Sequence, residues 1–288
     1  MRYGNVNFYA ALAILLFFLV LLNGCAPTPW TTPVENDSRQ TIEQSYRRFT
    51  DAQNLCRSGW DADIIINLQT SLKDYTLPAY IQTLPPSYFK FVIANPLGQP
   101  LKLLATDGVD YQYIDVMDRS SIFGSIRSWA IRYDLPYILI GRSWPDWLQG
   151  RPDGGKRRLI TEFRQDSEAR GVWLTIADVE EKYVTEKTDS ETDSEITYPV
   201  YEYLLVDPET GVVKEQIIVD ELQKPQATIV YNEWLQTGDC LYPVDIELTG
   251  LSYGAYIHLQ FSDIKLADLN QADFNIAIPS GFSRTMMP

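Results

Sequence analysis

One histidine stands among 288 residues, and no Gly-x-Ser-x-Gly, His-Glu-x-x-His or paired Cys-x-x-Cys pattern occurs. A hydrolase triad, a zinc peptidase centre and a zinc or redox cysteine site are thus left without their usual signatures. The lone His258 falls between Ile257 and Leu259, on the polar side of an alternating stretch. No catalytic residue, metal or cofactor is expected, and the chain reads as a non-enzyme. Gly154-Gly155-Lys156 lacks the spacing of a phosphate-cradling loop, and the acidic segment Glu186 to Glu195 lacks that of a calcium loop. Basic side chains are also scarce, 24 Lys and Arg against 38 Asp and Glu, a formal charge of -14. That balance disfavours nucleic acid and any purely electrostatic hold on anionic lipid. Three cysteines are too few for a disulfide-built scaffold.

What is present is a large apolar fraction, 45% with 12% aromatic, enough for a sizeable core. The long apolar run from Ala10 to Leu22 follows Arg2 and a free amino terminus, the arrangement of a secretory signal. As a helix this run spans roughly 20 Å, short of the ~30 Å hydrocarbon core that a membrane anchor must cross. It closes on Leu21-Leu22-Asn23-Gly24-Cys25, which resembles the lipobox of bacterial lipoprotein precursors. That resemblance implies cleavage before Cys25 and a lipid on the cysteine. Ala26 follows in place of an inner-membrane retention aspartate, which implies outer-membrane sorting, facing the periplasm. The chain divides accordingly into a signal peptide over 1–24, an extended tether over 25–37 and a folded domain over 38–288. The tether, APTPWTTPVEND after the cysteine, has no apolar periodicity.

Asp37 or Ser38 suits the start of a helix whose apolar positions Ile42, Tyr46, Phe49, Ala52 and Cys56 recur at three or four, with Gly59 placed to end it. Beyond Trp60 the period changes to two. Ile64, Ile66 and Leu68 alternate with polar residues, as do Phe89, Phe91 and Ile93, then Leu101 and Leu103, and then a strand about Tyr111 to Val116. Ser120 to Leu148, broken by Pro136 and Pro145, suits short helices. Strands resume at Leu159 to Phe163, Gly171 to Ala177, Tyr201 to Val206, Val212 to Val219, Thr228 to Tyr231, Val244 to Thr249 and Ala255 to Phe261. The fold class is mainly β with helices (α+β): a curved antiparallel sheet, an incomplete β-barrel closing over a few helices.

The run from Tyr88, YFKFVIANPLGQPLKLLATDGVDYQYID, resembles matching strands of the LolA/LolB family, with Asn95-Pro96-Leu97-Gly98 its most specific piece. Trp147-Leu148-Gln149-Gly150-Arg151-Pro152 is similar to the W-[IL]-x-G-x-P of LolB members. Asp273 to Phe282 resembles the last strand of LolA-like members. The chain is longer than LolB members and mixes both sets of motifs. The resemblance implies a barrel that binds acyl chains in its concavity, accepts lipoproteins from a LolA-like periplasmic carrier and delivers them to the outer membrane. It also implies that Leu97 protrudes and helps that delivery.

Read from the residues alone, Asn95, Pro96 and Gly98 form a type I turn with Leu97 at its tip, either projecting or folded back on its hairpin. Ile64, Ile66, Leu68, Phe89, Phe91, Ile93, Leu101, Leu103, Leu148, Ile257, Leu259 and Phe261 are candidates for the wall of an acyl-binding cavity or for ordinary closed core. Cys56 and Cys240 are either a disulfide or two unlinked buried thiols. A protein that binds free lipid or glycolipid, or a structural assembly lipoprotein of the same fold, is the alternative to a lipoprotein receptor.

Overall fold

The structure, a computed structural model, describes residues 29–132, 144–151, 158–177, 183–185, 195–197, 200–220, 222–251 and 254–287. Cys25, the signal segment, Gly154 to Lys156, Pro152 and the acidic segment 186–194 lie outside the described residues.

The described chain opens with strand β1 (Trp30–Pro33) and helix α1 (Asn36–Leu55). Six strands follow: β2 (Gly59–Gln69), β3 (Asp74–Leu84), β4 (Tyr88–Ala94), β5 (Pro100–Thr106), β6 (Asp110–Asp115) and β7 (Ser120–Ser125). Helices α2 (Ile126–Arg132) and α3 (Trp144–Leu148) separate these from β8 (Leu159–Asp166) and β9 (Val172–Ala177). A small pair, β10 (Tyr183–Thr185) and β11 (Glu195–Thr197), precedes β12 (Val200–Val206), β13 (Val213–Val219), β14 (Pro225–Thr237), β15 (Cys240–Leu251), β16 (Ala255–Ala267) and β17 (Ser283–Met287). Fifteen strands form one open, curved sheet in the order β1-β8-β9-β12-β13-β14-β15-β16-β2-β3-β4-β5-β6-β7-β17. The expected mainly-β, incomplete-barrel class is the class observed.

Inside the curve lies α1. Its stripe Ile42, Tyr46, Phe49 and Gln53 is buried, the first three packing in one core with Trp60, Ile64, Leu204, Ile229, Tyr242 and Ile246. Ala52, expected on that stripe, is exposed, and the neighbouring Gln53 takes its place. A residue offset by one position is turned about 100° round the helix, away from the stripe. Gln53 donates from Nε2 to the carbonyls of Gln149 (3.2 Å) and Leu241 (2.8 Å), so a buried amide ties helix, sheet and the α3 segment together. The helix starts two or three residues earlier than expected, with Glu35 at the cap in place of Asp37 or Ser38 and no side-chain cap bond, and ends at Leu55 rather than at Gly59, which begins β2. Cys56 and Cys240 are joined, their Cα atoms 5.8 Å apart, which fixes the helix end to the start of β15.

Three further expectations change. Trp30–Pro33, read as part of a free tether, pairs with β8, and Trp30 packs its ring on Tyr203 (4.5 Å) and Trp173 (5.7 Å). Burying that indole ring outweighs the mobility that a Pro- and Thr-rich segment would otherwise keep. Ser120–Ser125, read as helical, is strand β7, and helix begins only at Ile126. Asp273 to Phe282, expected to be a strand, instead crosses the outer face of β4 to β6. There Lys90 donates to the Asp273 carbonyl (3.0 Å), Gln112 exchanges two bonds with Ile276, and Phe274 lies against Tyr88. The strand that follows, β17, joins β7 in parallel at the sheet's edge.

Candidate functional site

The β4–β5 turn carries the most sharply defined of the expected site residues. Asn95 Oδ1 accepts the N–H groups of Leu97 and Gln99, each at 2.9 Å, while the Gly98 N–H donates to the Asn95 carbonyl at 2.9 Å. Gly98 has φ +78°, a conformation open to glycine at little cost. Pro96 fixes its own φ at the second corner. The turn is therefore rigid, and Leu97 projects from it 84% exposed, not folded back on the hairpin.

Cross-strand register sorts the other candidates by face. Ile64, Ile66 and Leu68 lie opposite Phe261, Leu259 and Ile257 across the β2–β16 pair, all on the concave side. Through β3, the same side continues to Phe91 and Ile93, opposite Ile81 and Ala79, and to Phe89 opposite Thr83. Ile64, Phe89, Leu148, Leu259 and Phe261 are buried, while Ile66, Phe91, Ile93 and Ile257 are half-buried against them. Leu101 and Leu103 do not join them. Phe91 faces Leu104, and Leu103 faces Val92 and Ile114, so Leu101 and Leu103 point to the convex side. A one-residue change of register moves a whole set of side chains to the other face, and the sequence Leu-Lys-Leu-Leu offers leucine to both.

Two polar groups also occupy the concave face. Lys102 pairs with Asp115 and donates to the Tyr113 hydroxyl at 2.9 Å. The Asp115 carboxylate and the Tyr113 hydroxyl hold Lys102 well above its ordinary pKa. Burial pushes Asp115 up, but Lys102 and the backbone N–H of Asp118 outweigh it and leave it below the usual carboxylate value. On the other side of the curve, Arg158 pairs with fully buried Glu202, which also accepts from Gln216. Close by, the Tyr231 hydroxyl donates to the Trp147 carbonyl at 2.9 Å. Sequence reasoning missed these groups; the signal for Glu202 was its place in the inward series Glu202, Leu204, Val206. Gly150 (φ +65°) lets the α3 segment close on Trp234, since a Cβ there would sit 2.0 Å from the indole Cη2. That contact gives the glycine of the Trp-Leu-Gln-Gly stretch a packing reason.

His258 is on the convex face, as its alternation predicts, with Nε2 3.0 Å from both oxygens of Asp245. Asp245, Glu247 and His258 bring ligand atoms within 4.8 Å of one another, the one group among the described residues whose spacing could hold a metal ion. Asn232 donates to both carboxylates at 2.8 Å, so they are already hydrogen bonded.

No protein-family model and no curated protein sequence matches the chain. Solved structures do. A LolA superfamily protein from Nitrosomonas europaea is similar at 13% identity and a TM-score of 0.54, over 82% of this chain and 97% of that one. An outer membrane lipoprotein-sorting protein domain from Vibrio parahaemolyticus is similar at 12% identity and a TM-score of 0.54, over 83% and 97%. A DUF1329 family protein from Desulfovibrio piger is similar at 10% identity and a TM-score of 0.55, over 82% and 97%. The fold is LolA-like. In this LolA-like sheet, the concave side is apolar from β15 and β16 through β4, polar at Lys102 and again at Glu202, and flanked at one strand end by the rigid Leu97 turn.

Proposed function

We propose that the chain is a lipid-anchored outer-membrane protein that takes acyl chains of lipoproteins onto the concave face of its sheet and passes them to the membrane. The observation that carries this reading is Leu97, a large apolar side chain held out at the tip of a rigid turn beside an apolar concave wall. Placing one leucine in lipid contributes roughly 1.5 to 3 kcal/mol, enough to orient the molecule and too little to anchor it. Anchoring falls to the lipid on Cys25, where one sixteen-carbon chain is worth on the order of 12 kcal/mol. The same magnitude opposes release of a cargo chain into water. Transfer from one apolar surface to another, downhill from a periplasmic carrier to this protein to the bilayer, avoids that cost without nucleotide or catalytic residue.

The test is Leu97→Glu, assayed for binding of an acylated lipoprotein and for its insertion into liposomes. Binding is expected to be unchanged and insertion slowed about tenfold or more, the equivalent of losing at least 1.4 kcal/mol of lipid contact. Insertion at the normal rate would remove the role given to Leu97. Native mass spectrometry of the purified protein addresses the cargo: bound acylated lipoprotein supports the receptor reading, and bound free phospholipid replaces it with lipid carriage.

A further inference from the structure

Strand direction alternates through the sheet from β1 to β7, so every second hairpin turn falls on the same edge. Gln69 pairs with both Asp74 and Tyr256, Leu251 pairs with Ala255, Thr228 with Thr249, and Val219 with Pro225. The β2–β3, β4–β5, β6–β7, β13–β14 and β15–β16 turns therefore lie along one edge. The first four are built alike. A side-chain oxygen at the first position accepts the backbone N–H two residues on: Thr70 from Leu72 (3.3 Å), Asn95 from Leu97 (2.9 Å), Asp115 from Met117 (3.1 Å) and Asp220 from Leu222 (2.9 Å). The residue so presented is apolar each time, and exposed: Leu72 90%, Leu97 84%, Met117 73%, Leu222 74%.

The opposite edge supplies a comparison within the same molecule. Three of its turns use the same device, with Asp107, Asp166 and Asp207 accepting from Val109, Glu168 and Glu209. There the presented residues are two acids and one short valine. The turn chemistry is common to both edges; among the turns built this way, the large apolar side chains belong to one.

We propose that this edge is a rim that contacts a lipid bilayer, with Leu72, Met117 and Leu222 entering it alongside Leu97. The inference rests on the reading of Leu97 as a lipid-contacting residue and extends it to three further hairpins. Neighbouring tips are two or more strands apart, about 10 Å or more, so they form no continuous patch for a protein partner to cover. A fluid acyl layer receives each side chain independently. Charge agrees: the four turns carry Lys73, Arg119 and Lys224 against Asp115, Asp118, Asp220 and Glu221, and Asp115 is paired with Lys102, so the rim is near balance on a chain of formal charge -14. The rim escapes the repulsion that the rest of the surface presents to anionic headgroups.

The experiment uses the lipidated full-length protein reconstituted in phosphatidylcholine vesicles containing a brominated lipid, and five single variants: Leu72→Trp, Leu97→Trp, Met117→Trp, Leu222→Trp and Val109→Trp. The fluorescence that each variant adds over the unsubstituted protein is compared with and without bromine. The four rim positions are expected to lose at least half of the added signal, and Val109→Trp to lose none. Quenching at position 97 alone overturns the rim and leaves the reading of Leu97 standing. Quenching at no position overturns both. Quenching at 109 equal to the rest overturns the assignment to one edge. Rim positions shielded from aqueous iodide yet unquenched by bromine point to a protein partner and overturn the lipid assignment.

Discussion

Cys56 and Cys240, 184 residues apart in sequence, are bonded where the last turn of α1 meets the first residue of β15. The link holds α1 against the sheet at the end where Gln53 also reaches the Leu241 carbonyl.

Replacing both cysteines by serine is expected to cost about 3 to 5 kcal/mol, because the cross-link restricts a very long loop in the unfolded chain. The midpoint of urea unfolding, measured with and without reductant, checks this. Reductant should move the native protein to the midpoint of the double variant and leave that variant unmoved.

The buried pair Arg158 and Glu202 is expected to behave asymmetrically. Arg158→Met leaves the Glu202 carboxylate buried without its cation and should cost about 3 kcal/mol or more. Adding Glu202→Leu should recover most of that loss, to within about 1 kcal/mol of the native chain, because two apolar side chains need no partner. A double variant no more stable than the single one, in chemical denaturation, would show that Gln216 depends on the carboxylate as much as Arg158 does.

Asp166 gives a prediction about acid. Burial works to raise its pKa, but the Arg170 guanidinium, the backbone N–H groups of Arg170 and Glu168 and the Trp173 indole N–H hold it at about 2. A carboxyl depressed in the folded state stabilises fully above its unfolded value near 4, and the contribution is lost as pH falls through about 2. Asp166→Asn should remove on the order of 1 to 2 kcal/mol at pH 7, discounted for an Arg170 partner open to solvent. The difference between variant and native protein should shrink steadily between pH 4 and pH 2, followed by unfolding at fixed temperature. A gap that stays constant across that window would rule out the charge as the source.

Much of the fold was legible because a half-buried strand writes its period into the chain. Ile64, Ile66, Leu68 and Ile257, Leu259, Phe261 announce one face each, and the structure pairs those two series directly. That they are neighbours was not legible, since nearly two hundred residues separate them. β3 escaped notice because Pro78 interrupts it; the proline is tolerated where the β4 pairing has not yet begun, with Ala79 the first residue to meet β4. The faces of Leu101 and Leu103 were misread because both sides of β5 are covered, one by the core and the other by the crossing segment before β17, so leucine is welcome on either. Glu202 stands in the inward series with Leu204 and Val206, but a lone acid in such a series does not disclose its partners, Arg158 just before β8 and Gln216 on the paired strand β13. The turn at Leu97 was the most legible feature of the site, since Asn, Pro and Gly each fix a local backbone choice within four residues.

Docking of Trp30–Pro33 on β8 bears on how the molecule can stand at a membrane. Trp30 enters the sheet at the strand end where Asp166 lies, and Leu97 leaves it at the other. From Cys25 to Trp30 the leash is five residues, a reach of at most ~17 Å. Strands of seven to thirteen residues run roughly 23 to 43 Å. If Cys25 carries a lipid and the proposed rim touches the same bilayer, a leash this short would not let the strands stand upright on it, and the sheet would lie tilted.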